Sequence, residues 1–165
     1  MTPKVEFVAT SPGWRAALPA RSLARETIAV AAAESGVPLR RGAELCVHLA
    51  DDAHVRALNA RWRGLDKPTN VLSFPAADPT GIGRARLLGD VVLAFETVAG
   101  EAAEAGKPLA DHYRHLVAHG FLHLIGFDHQ RDSDAARMEA IETRVLARLG
   151  VADPYRVDEA AEAQR

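Results

Sequence analysis

The chain has 165 residues, 48% of them hydrophobic and 25% charged, with a formal net charge of −2. That is one domain's worth of residues and enough to bury a sizeable core. The charge excludes a generally basic protein, so a nucleic-acid site must be a local patch among the 20 lysines and arginines.

A single cysteine, Cys46, excludes an internal disulfide and a thiolate metal cage. The N-terminal Met1-Thr-Pro-Lys-Val-Glu-Phe7 lacks the apolar core of a signal peptide. No stretch approaches the roughly 20 apolar residues of a membrane span. A cytoplasmic protein without a membrane partner is expected.

Taken in order, Val5–Thr10 reads as an opening strand that Ser11-Pro-Gly13 breaks. Arg21–Ser35 has the spacing of an amphipathic helix, ended by Gly36 and Pro38. Glu44–Leu49 reads as a second strand, with Cys46 as a buried, inert thiol. Asp51-Asp52 caps a helix whose apolar face is Val55, Leu58 and Trp62, and Gly64 closes it. The loop from Arg61 to Asn70 leads into a short strand, Val71–Phe74, stopped by Pro75. Asp78–Arg86 reads as a flexible, mildly basic loop.

Leu87–Ala94 is an apolar strand carrying one acid, Asp90, which should sit at a strand end or beside a partner, since a lone buried carboxylate is costly. Glu101–Gly106 reads as a short helical piece. Pro108 then opens a long helix running to about Gly126, buried through Leu116, Phe121, Leu122 and Leu124. Asp132-Ser-Asp134 caps a last helix with core positions Met138, Ile141, Val145 and Leu149. Residues 1–152 form a single domain on this reading, and 153–165 a small, polar, frayed tail.

Four of the seven histidines fall between His115 and His129. His119 and His123 are four apart, which on a helix puts both imidazoles on one face. Gly126 permits the chain to turn back and bring His129 round as a third ligand. Three nitrogen ligands with one open position is the arrangement of catalytic zinc. The spacing matches the metzincin protease frame, but those enzymes carry a general-base glutamate directly after the first histidine. Here that position is Gly120, so peptidase chemistry is not supported.

His119-Gly-Phe-Leu-His123-Leu-Ile-Gly-Phe-Asp-His129 resembles the signature of the YbeY endoribonucleases. Arg63-Gly-Leu-Asp-Lys-Pro-Thr-Asn70-Val-Leu-Ser-Phe-Pro75 resembles that family's second motif, and Leu88-Gly89-Asp90 its third. The likeness spans roughly residues 45 to 149. Asn70 stands where the family often has Asp, and Phe127 where it often has Tyr.

The resemblance implies an α+β fold: a small, mostly parallel mixed sheet flanked by helices, with a zinc cleft beside the central helix. It implies one zinc ion held by His119, His123 and His129, with His119 and Arg63 in the catalytic machinery and Arg63 binding phosphate. It further implies a single-strand-specific endoribonuclease acting in 3′-end maturation of small-subunit rRNA and in ribosome quality control, with the small subunit and its assembly factors as partners.

Arg61, Lys67, Arg84 and Arg86 lie in flanking segments and are candidates for a basic substrate-binding rim. Asp128 is placed to orient an imidazole. His115, one turn before His119, reads either as a residue behind the metal or against the substrate, or as a packed helix histidine. A non-catalytic, zinc-stapled assembly or RNA-binding factor is the alternative. Phosphodiester cleavage itself fits the residues, because a zinc ion and an arginine fork both stabilise charge growing on phosphoryl oxygens.

Overall fold

The computed structural model describes residues 2–156. Strands β1 (Lys4–Ala9), β2 (Glu44–Ala50), β3 (Val71–Pro75) and β4 (Leu87–Ala94) form one sheet in the order β1-β2-β4-β3. The first three in that order run parallel, and β3 is the antiparallel edge. This is the small, mostly parallel mixed sheet that the sequence motifs implied.

The helices are α1 (Pro12–Ala17), α2 (Ala20–Ser35), α3 (Asp52–Arg63), α4 (Phe95–Glu104), α5 (Leu109–Leu124) and α6 (Asp132–Arg148), with a 3₁₀ turn over Pro79–Arg84. None among the described residues is long and apolar enough to cross a membrane.

The period-two alternation of the strands sorts the core into two layers. Leu45, Val47 and Leu49 of β2, with Val91 and Leu93 of β4, face the main cluster shared with α2, α5 and α6. On the other face Ala50, Leu72, Val92 and Ala94 meet Val55 and Leu58 of α3. Helix α5 packs on α2, α4, α6, β3 and β4, which makes it the centre of the molecule. Leu116, Phe121, Leu122 and Leu124 are all buried, as expected. At about 1.5–3 kcal/mol each, these four contribute on the order of 10 kcal/mol before conformational entropy is counted. The position of α5 is therefore rigidly set, and with it the histidine stripe.

Several local expectations need correction. Ser11-Pro-Gly13 ends β1 but also starts α1, with proline at the first turn and Trp14 buried, its indole donating to the Ala50 carbonyl at 2.9 Å. The expected flexible loop at 78–86 is the 3₁₀ turn. Asp78 accepts the Thr80 N–H at 2.8 Å, and Ile82 is buried.

Helix α4 starts at Phe95, six residues before the expected Glu101. Its first turn is capped from another helix: Asp52 Oδ1 accepts from the Thr97 N–H and hydroxyl, while Glu96 accepts the Asp52 N–H. Reciprocal capping across 45 residues leaves no local sequence signal. Asp132 and Asp134 lie inside the first turn of α6 rather than at its cap, where Arg131 stands. They act there through the helix dipole.

Asp90 is neither at a strand end nor buried. It is exposed on the part of the sheet that α3 leaves open. Cys46, on that same face, is only half-buried, and burial followed by Asp90 and Glu6 pushes its thiol pKa up. Gly89 explains the third motif differently. Its φ of +130° is open to glycine, and a Cβ there would lie 2.2 Å from the Phe74 carbonyl oxygen. Trp62 continues the α3 stripe but runs past the sheet and is exposed. Within the described part of the expected tail, Asp153 accepts the Tyr155 N–H at 2.8 Å. Residues 157–165 lie outside the described residues.

Candidate metal centre

Helix α5 carries His115, His119 and His123 on one stripe and ends at Leu124. Gly126, at φ +105°, turns the chain back, and the Phe127 N–H closes the turn on the Leu122 carbonyl at 3.0 Å. Asp128 Oδ1 then accepts the His129 backbone N–H at 2.7 Å, fixing the segment that presents the third imidazole. One ring nitrogen from each of His119, His123 and His129 falls within 4.8 Å of the others. The two half-buried rings and the exposed His129 ring thus meet at the mouth of a cleft.

The hydrogen bonds decide which nitrogens are available. His119 Nδ1 lies 2.5 Å from Glu142 Oε1, and His123 Nδ1 lies 3.0 Å from the Phe127 carbonyl. Carboxylate and carbonyl only accept, so both Nδ1 atoms carry the proton. In the neutral rings both Nε2 lone pairs then point inward, and these atoms are 3.1 Å apart. Two lone pairs at that distance repel unless a cation lies between them. Zinc–nitrogen bonds of about 2.0–2.1 Å at a tetrahedral angle put nitrogens about 3.4 Å apart, close to this separation. Burial, then the neighbouring His119 and His129, lowers the His123 pKa, which favours the neutral, ligating form. Three imidazoles, two of them with preset tautomers, therefore fit a divalent metal ion.

Glu142 of α6 was not anticipated from the sequence. It is fully buried. Its carboxylate takes His119 on one oxygen; on the other, the Tyr155 hydroxyl donates and His115 Nε2 lies 3.1 Å away. Burial alone would raise its pKa, but the bonds from His115, His119 and Tyr155 outweigh burial and hold it at about 2. Tyr155 is pushed well above the ordinary phenol value, by burial first and then by donating to that carboxylate. His115 is therefore neither free nor simply packed: it is tied to His119 through a shared carboxylate. Asp128, expected to orient an imidazole, bonds backbone instead, and Glu142 holds the ring. A signal for Glu142 was present, since it falls on the same stripe of α6 as Met138, Ile141 and Val145. An acid on a core stripe implies a buried partner.

Gly120 faces the sheet. A Cβ there would lie 2.7 Å from Val91 Cγ1, 3.2 Å from Ser73 Oγ and 3.3 Å from Val71 Cγ2. Ser73 Oγ also donates to the Gly120 carbonyl at 3.0 Å. The helix approaches β3 and β4 so closely that even a Cβ must displace a neighbour, so the missing glutamate has a packing cause.

The cleft, about 820 Å³, runs from the histidines along edge strand β3 to the end of α3. Arg63, Trp62, Asn70, His115, Asp128 and Tyr155 line it with the three histidines. Arg63 and the metal-ligand set thus share one cavity although 56 residues separate Arg63 from His119. The expected basic rim does not: Arg61, Lys67, Arg84 and Arg86 are exposed, but none lines the cleft. The Arg61 guanidinium rests 5.2 Å from the Trp62 ring centre instead.

Asn70 holds the Arg63 loop in place. Its amide donates to Glu101 Oε1 at 3.0 Å and accepts the Val71 N–H at 2.7 Å, while His112 meets the same Glu101 oxygen at 2.9 Å. An aspartate here could not donate to Glu101, so this departure from the resembling motif is matched by its partner.

The family model described as Endoribonuclease YbeY matches residues 16–150. A protein of Methylocella silvestris named Endoribonuclease YbeY is 48% identical over 94% of this chain and 87% of its own length. Relatives of the same name from Rhodopseudomonas palustris and Paramagnetospirillum magneticum are 47% and 54% identical, covering 99% and 87% of this chain and 96% and 90% of their own. The solution structure of a Thermotoga maritima protein shares the fold, with a TM-score of 0.56 at 20% identity over 93% of this chain and 99% of that one.

Proposed function

The chain belongs to the YbeY endoribonuclease family, and on that footing we propose that it is a zinc-dependent endoribonuclease cutting single-stranded RNA. The reading extends to maturation of the 3′ end of small-subunit rRNA and to ribosome quality control in the cytoplasm, with the small subunit and its assembly factors as partners.

The observation that carries it is the pair of inward Nε2 lone pairs, 3.1 Å apart, in a cleft that also holds Arg63. His119, His123 and His129 would hold the ion. A zinc ion there supplies Lewis-acid stabilisation of negative charge on a phosphoryl oxygen. Arg63 grips the non-bridging oxygens through its planar fork and takes part of the growing charge. Glu142 keeps His119 in its Nδ1–H form, and His115 and Tyr155 keep that carboxylate in place. Gly126, Phe127 and Asp128 hold His123 and His129 in register.

The cleft brings the three histidines and Arg63 together, and a flexible single strand can bend one phosphate onto both. The assembly-factor reading requires a closed structural site with a fourth protein ligand. Among the described residues the metal-ligating cluster contains three, and it opens onto the Arg63 cleft.

One RNA sequence, single-stranded and annealed to its complement, is presented to wild type and His119→Ala. Cutting of the single strand by wild type alone is expected, with metal content measured on the same samples. Equal cutting of both forms, or cutting that survives in His119→Ala, would discard the zinc-ribonuclease reading.

A further inference from the structure

Trp62 stands out among the residues of the cleft because no core requires it. The apolar stripe of α3 buries Val55 completely and Leu58 in part, then walks off the end of the sheet. Trp62, one turn past Leu58, is 62% exposed. Its support is the edge of Phe74, with ring centres 6.4 Å apart and planes at 63°. An exposed indole surrounded by water loses the apolar burial that normally fixes a tryptophan. Here it lies on the cleft wall, adjacent in sequence to Arg63 and in one cavity with the three histidines. The Arg61 guanidinium near its ring belongs to an exposed, long and displaceable side chain.

We propose that Trp62 is a nucleobase-stacking platform, taking an unpaired base of a nucleotide flanking the phosphate that Arg63 holds. The inference rests on the ribonuclease reading and deepens it. Every base has a π-face, so such a platform is tolerant of sequence and favours the larger purines. A base within a duplex is stacked and paired already and cannot be offered to the indole without unpairing. The same residue therefore supplies a second reason for a single-strand preference, independent of how the phosphate reaches the metal centre.

The protein has two tryptophans, and the other, Trp14, is 1% exposed. The acrylamide-quenchable emission therefore belongs to Trp62. The zinc-loaded protein is titrated with a 2′-O-methyl RNA strand whose integrity is checked on a gel after each titration, and quenching is followed beside binding by anisotropy. Saturating RNA is expected to shield Trp62 from acrylamide. Trp62→Ala should weaken binding about tenfold, and Trp62→Phe should recover most of it. An abasic nucleotide beside the scissile position should weaken wild-type binding by a similar factor and add little in Trp62→Ala. Zinc content and melting temperature should stay at wild-type values in both variants, which separates stacking from a structural role.

Unchanged quenching at saturation, or wild-type affinity in Trp62→Ala, overturns the platform while leaving an active ribonuclease in place. A wild-type protein that neither binds nor cuts RNA removes both readings.

Discussion

Replacing Glu142 tests whether its carboxylate sets the metal centre. The side chain is fully buried and bonded by His115, His119 and Tyr155. In Glu142→Gln the shape is kept. The amide oxygen can still accept from His119 Nδ1, and the amide nitrogen can donate to Tyr155 or to His115 Nε2, but the charge is gone. Hydrogen bonds to a charged group contribute roughly 1 kcal/mol more than neutral ones. Of the two imidazoles bonded, only His119 belongs to the metal-ligating cluster, so the loss that reaches the ion is about 1 kcal/mol, or about fivefold in zinc affinity.

In Glu142→Ala the acceptor itself disappears, leaving a cavity and, at its edge, part-buried imidazole donors without their partner. That should cost about 3–5 kcal/mol of folding stability and lower Tm by roughly 10 °C for a chain of this size. Zinc affinity is measured by competition with a chromophoric chelator, stability by thermal melting of apo and loaded protein, and the His119 tautomer by ¹⁵N NMR of the imidazoles. A folded Glu142→Gln with wild-type zinc affinity would refute the argument that this carboxylate presents His119 to the metal.

Other substitutions separate the remaining roles. His123→Ala should lower bound zinc and Tm together, since ligand binding contributes folding energy; elemental analysis showing equal zinc in variant and wild type removes His123 from the set. Arg63→Ala should keep fold and zinc and lose about a hundredfold in cleavage rate, with Arg63→Lys recovering part, because lysine lacks the two-pronged donor; an unchanged rate in Arg63→Ala ends the phosphate role. Gly120→Ala should lose roughly 1–2 kcal/mol in chemical denaturation, as the overpacking against Val91 exceeds the gain in helix propensity; a stabilised variant would show that the sheet yields easily.

The sequence shows the elements whose signals are local. Pro108, the α5 stripe, Asp51 and Gly64 mark helix ends by their own chemistry, and the structure puts them there. The cluster of His119, His123 and His129 is legible for the same reason, since i, i+4 spacing followed by a glycine turn is a property of one short segment. What depends on distant partners is not legible. The start of α4 is set by Asp52, and the Arg63 loop is held by Glu101. Tyr155 sits in a segment whose composition reads as a tail, and only its bond to Glu142 brings it to the cleft. Charge in flanking loops does not say which way those loops face, and Arg61, Lys67, Arg84 and Arg86 do not line the cleft.

Gly120 shows how one residue links the packing to the chemistry. A zinc peptidase needs a carboxylate beside the first ligand, and in this chain that position lies 2.7 Å from Val91 as soon as a Cβ is added. Close approach of α5 to β3 brings the histidines next to the edge strand and forms the cleft wall with Ser73 and Phe74. The same approach excludes the general base. The carboxylate that does reach His119 comes from behind, on α6, and bonds the ring rather than facing the cleft. Restoring the protease residue should therefore fail as chemistry. Gly120→Glu must force a long side chain into the core between α5 and the sheet, and the expected result is a destabilised or aggregated protein. A folded, zinc-loaded Gly120→Glu that hydrolyses unstructured peptides, with turnover abolished by a chelator, would show that the helix can rotate. In that case the distinction between the two chemistries would rest on the missing acid alone.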